Sequence, residues 1–74
     1  GPENRLHWQR VNSLTKERDA LIGGKVKLSK KTQEEVDAYN EQIRFEEETY
    51  RMEYNVFSNM LNDLKGIFID NYDF

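Results

Sequence analysis

Apolar positions along this chain fall into two helical series separated by a short polar stretch. The first series is Leu6, Val11, Leu14, Leu21 and Ile22. Val11, Leu14 and Leu21 are spaced three and then seven apart, which places them on one face of a helix, and no breaker interrupts residues 3–22. Asn4 is the candidate N-cap, its side-chain oxygen able to accept an orphan amide hydrogen of the first turn. Gly23-Gly24 supplies the stop, because glycine adopts the left-handed conformation past a helix end without steric penalty. The pattern predicts a short helix over about 4–22.

The second series runs Val36, Tyr39, Ile43, Tyr50, Tyr54, Phe57, Leu61, Leu64, Phe68 and Tyr72, with Glu47 at the one vacant step between Ile43 and Tyr50. Its mean spacing is about 3.6 residues, and alternation with period two matches nowhere. Two start signals precede it: Ser29 as an N-cap, or Thr32 with Glu35 three residues on, the capping-box arrangement. A long helix over about 30–70 follows, joined to the first by residues 23–31. Gly66 is its one internal breaker. Under the alternative, the helix stops there and the last eight residues are a mobile tail; Ile67 to Phe74 also read as a short acidic-aromatic peptide of the kind that a groove binds.

Two helices and one short connection define an all-α fold, an antiparallel helical hairpin of coiled-coil character. Leu6, Val11, Leu14, Leu21, Val36, Tyr39 and Ile43 are its expected core. At 1.5 Å per residue the long helix spans roughly 60 Å and the short one roughly 28 Å. Folded back, the short helix covers its partner only to about Tyr54. Tyr50, Tyr54, Phe57, Met60, Leu61, Leu64, Ile67 and Phe68 therefore form a candidate protein interface. Each large apolar side chain left in water forgoes roughly 1.5–3 kcal/mol. Half a dozen forgo on the order of ten, as much as a small domain's whole stability. Self-association into a four-helix arrangement is the expected remedy, with a partner helix from another protein as the other option.

Composition bounds this picture. Seventy-four residues allow one domain, and a mean hydropathy of −0.96 lies close to disordered sequences. Leu, Ile, Val and Phe make up about a quarter of the chain, above the roughly 20% that signals disorder. Gly1-Pro2 reads as the remnant of a cleaved purification tag, which leaves 3–74 as a single module from a longer protein. Zero cysteines exclude a disulfide framework and thiolate metal sites, and favour an intracellular, cytoplasmic setting.

Charge is unevenly spread around a net −3. Lys25, Lys27, Lys30 and Lys31 make a basic tip at the connection, while residues 32–53 sum to −6 and include the Glu46-Glu47-Glu48 run. Consecutive residues lie about 100° apart around a helix, so that run cannot converge on a metal. It reads as a solvated face, braced by Glu47–Arg51 and Arg44–Glu48 pairs. The lysine tip is a solvated turn or a contact for phosphate, anionic lipid or an acidic partner.

Catalytic chemistry is sparse. His7 is the one histidine and reads as a rim residue near Trp8. Without cysteine, no Cys-His site forms. Gly23-Gly24 follows a helix instead of preceding one and lacks a Gly-Lys-Ser/Thr sequence, which removes the phosphate-loop reading. A pI of about 5.1 disfavours nucleic acid. The expectation is a non-enzymatic interaction and oligomerisation module of a scaffold, adaptor or assembly protein, with no cofactor, metal or small-molecule substrate. The alternatives are a membrane-associated coiled coil of BAR-like plan, touching anionic lipid through the lysine tip, and a small-GTPase effector hairpin.

Overall fold

Both helix ends at the connection are set by local chemistry. The computed structural model describes the backbone of residues 2–72 and the side chains of residues 4–67. Helix α1 spans Pro2–Ile22 and helix α2 spans Lys30–Tyr72, with no strand among the described residues. Past Ile22, Gly23 and Gly24 take φ of 56° and 72°, in the left-handed region that side chains resist. The Gly23 N–H donates to the Asp19 carbonyl at 2.9 Å and the Lys25 N–H to the Ile22 carbonyl at 3.0 Å, closing off α1. Ser29 caps α2: its Oγ accepts from the Thr32 N–H at 3.2 Å, and its carbonyl takes the first helical bond, from the Gln33 N–H at 2.8 Å.

Three boundary expectations are thereby corrected or decided. Helix α1 starts at Pro2, ahead of Asn4, because proline at the first helical position gives up only an N–H that has no helical acceptor. Asn4 caps nothing and instead accepts a hydrogen bond from the Tyr50 hydroxyl. Thr32 lies inside the first turn of α2, so Ser29 is the cap and the connection contracts to residues 23–29. Lys30 and Lys31 consequently belong to the start of α2, where a cation opposes the helix dipole. Gly66 does not end the helix: a glycine there costs about 1 kcal/mol, and α2 continues to Tyr72.

The two helices run antiparallel, as the cross-helix contacts require. Arg18 donates to Asn40 Oδ1 at 3.0 Å, the Arg10 guanidinium lies 3.8 Å from Glu46, and the His7 ring stacks on Tyr50. This register brings Pro2 level with about residue 55, leaving some 17 residues, or about 25 Å of α2, without a neighbour. The molecule is a rod of 68 × 20 × 14 Å.

Its core is one side chain deep. Val36 (4% exposed), Val11 (6%) and His7 (7%) are the buried residues among those described, and none of their number is wholly enclosed. Leu14, Leu21, Tyr39 and Ile43 are half-buried between the helices, as is Leu28 from the connection. Leu6, expected in the core, is instead half-exposed, and His7, expected at the rim, is buried. Neighbouring residues on a helix point about 100° apart, so seating His7 against Tyr50 turns Leu6 outward.

Candidate interaction surface

Helix α2 carries one apolar face along nearly its whole length, covered in its first half and bare in its second. Val36, Tyr39, Ile43, Glu46 and Tyr50 are buried or half-buried on the side of α1. Eighteen residues is five turns at about 3.6 residues each, and that translation carries them onto Tyr54, Phe57, Leu61, Leu64 and Phe68. The bare half is thus the continuation of the face that α1 occupies. Along it and its flank Tyr54, Phe57, Met60, Leu61, Leu64 and Ile67 are 40–62% exposed, whereas Val56, five turns after Ala38, points to the other side of α2. The side chain of Phe68 lies outside the described residues.

One member of the expected interface belongs elsewhere. Tyr50 closes the open end of the hairpin: its ring lies 4.1 Å from that of His7 at 13° between planes, and its hydroxyl donates to Asn4. Trp8 meets His7 edge-on at 5.5 Å. His7 Nδ1 is buried without a hydrogen-bond partner among the described residues, and the ring's contacts are the Tyr50 stack and the Trp8 edge. A histidine counts as polar in any periodicity. Only the facing tyrosine ring makes it a core residue.

The polar step in the stripe is also displaced by one. Glu46, not Glu47, faces α1, where Arg10 pairs with it, and Glu47 is exposed. Arg44 pairs with Glu41 at 2.8 Å, and neither Glu47–Arg51 nor Arg44–Glu48 forms among the described residues. Hydrogen bonding to the Glu17 carboxylate, together with that group's charge, raises the pKa of Tyr39, with desolvation and Glu35 adding to the effect. No group of three or more His, Cys, Asp or Glu converges as a metal site among the described residues.

Two further features lie outside the stripe. An open groove of about 720 Å³ between the helices is lined by Leu6, Arg10, Leu14, Glu17, Gln42 and the exposed ring of Phe45. It mixes apolar walls with charged rims. At the hairpin tip Val26 stands fully exposed between Lys25 and Lys27. No helix among the described residues is long and apolar enough to cross a membrane. No protein-family model, curated protein or solved structure matches the chain.

Proposed function

We propose that the chain is a non-catalytic interaction and oligomerisation module of an intracellular scaffold, adaptor or assembly protein, and that it associates through the apolar face of α2 beyond Glu53. One observation carries this reading: the face that packs against α1 continues past the end of α1 with six large apolar side chains in water. A neighbouring helix recovers that free energy by laying its own apolar stripe along the bare one, with anchors at i, i+3 and i+4. The hairpin half then serves as a rigid stalk that fixes the direction of the binding half.

The test uses the chain as bait beside a Phe57→Asp variant. Proteins retained by the parent, further copies of the chain included, should be lost with the variant, because the carboxylate would sit unpaired in a desolvated contact. Retention of the same proteins by both baits, or of none by the parent, overturns the reading. Phe57 is more than half exposed, so the variant's helicity should match the parent's by circular dichroism.

A second reading, contact of the tip with an anionic lipid surface, is favoured by Val26 exposed among lysines. Anionic vesicles should then sediment with the parent chain and not with one carrying Glu at Lys25, Lys27, Lys30 and Lys31. Failure of the parent to sediment ends that reading.

A further inference from the structure

We infer that the occupant of the bare face is a second copy of this chain, running antiparallel, so that the two overhangs pair and the two hairpins point in opposite directions. The inference rests on the reading of the overhang as a protein-binding face and adds its partner and orientation.

Steric exclusion sets the direction. Helix α1 occupies the track along α2 up to about residue 55, and the bare face continues that same track. A second copy aligned parallel on it would need its own residues 30–55 to lie where α1 already lies. An antiparallel copy brings only its overhang onto the track, and its hairpin passes beyond the far end of α2. Each overhang then extends the line of the other copy's α1, and both copies bury the same residues, as a two-fold interface demands.

Area and charge select a second copy as the partner. Six side chains at 40–62% exposure offer on the order of 100 Å² apiece, or roughly 600 Å² per copy, the lower end of the ~600–1,000 Å² per partner of a stable interface. Residues 54–72 carry Asp63, Lys65 and Asp70, a net −1 against the −6 of residues 32–53, so two overhangs meet with far less repulsion than two hairpin halves would. Residues 32–53 sum to −6 and would face their own kind in a parallel pair. The antiparallel pair keeps those segments at opposite ends.

The spacing of Phe57, Met60, Leu64 and Ile67 is three, four, three, the alternation of a coiled-coil seam. A two-fold axis near Asn62 sets Phe57 of each copy against Ile67 of the other, and Met60 against Leu64.

The full chain tests this directly, since it has no cysteine and single cysteines can be introduced at exposed positions for donor and acceptor dyes. Sedimentation equilibrium should give twice the 8.9 kDa of one chain. Dyes at Asp63→Cys, beside the axis, should show strong energy transfer. Dyes at Lys27→Cys should show none, because the two tips then lie about 100 Å apart at 1.5 Å per residue. Transfer between the tips, or a mass other than two chains, overturns the inference. A single-chain mass beside partners retained by the bait overturns the second copy alone and leaves the binding face standing.

Discussion

Val36→Asp is expected to abolish the hairpin. Val36 is the least exposed residue described, at 4%, on the side of α2 that faces α1. The substitution removes a buried apolar side chain, a loss of roughly 1.5–3 kcal/mol. It also strands a carboxylate whose desolvation costs several kcal/mol more. The nearby Arg18 already serves Asp19 and Asn40. Marginal stability of about 0.05–0.15 kcal/mol per residue leaves a chain this short no reserve for both losses. Most helical stability in proteins comes from tertiary packing of an apolar face, so helicity should fall with the hairpin. Circular dichroism melting checks this, with Ala38→Asp on the exposed side of α2 as the control. If Val36→Asp melts like that control, the interhelical face has been misplaced. Because burial raises the carboxyl's folded-state pKa above its unfolded value, acidification should restore part of the lost helicity.

Tyr50→Ala is expected to free the first turns of α1. The tyrosine supplies the ring on which buried His7 stacks and the hydroxyl that donates to Asn4. Truncating a fully buried aromatic typically costs 3–5 kcal/mol, and the half-buried Tyr50 should fall near or below the lower end, about 2–3 kcal/mol. Tyr50→Phe separates the two roles. It keeps the stack and loses one hydrogen bond, for about 1 kcal/mol. Hydrogen exchange should report faster exchange for amides of the first turns of α1 in Tyr50→Ala, and little change around Val11. Unchanged exchange throughout α1 would show that the aromatic cluster holds nothing in place.

Much of the architecture was legible because helix periodicity and glycine chemistry are local signals. Val11, Leu14, Leu21, Val36, Tyr39 and Ile43 all lie between the helices, and Gly23-Gly24 ends α1 where the left-handed preference requires. The overhang was legible too, since it follows from two lengths.

What escaped depends on the register between the helices, which no local pattern encodes. Glu46 and Glu47 both fit the stripe, one completing a three-then-four step and the other four-then-three. Arg10 across the gap decides between them. Leu6 and His7 exchanged places for a related reason: Tyr50, more than forty residues away in sequence, gives His7 a flat surface to stack on. Ser29 and Thr32 are equally good caps in sequence. The bond from the Thr32 amide to the Ser29 hydroxyl is made once the connection has turned.

The lopsided charge of the rod has a consequence for its encounters. Four lysines cluster near one end and the −6 segment follows directly behind them, so the molecule carries a permanent electric dipole along its long axis. A lone copy drifting toward an anionic body is turned lysines-first before contact. The torque weakens as added salt shortens the Debye length. In a two-fold antiparallel pair the axial dipoles point oppositely and cancel, so pairing removes this orienting torque and leaves a basic cap at each pole.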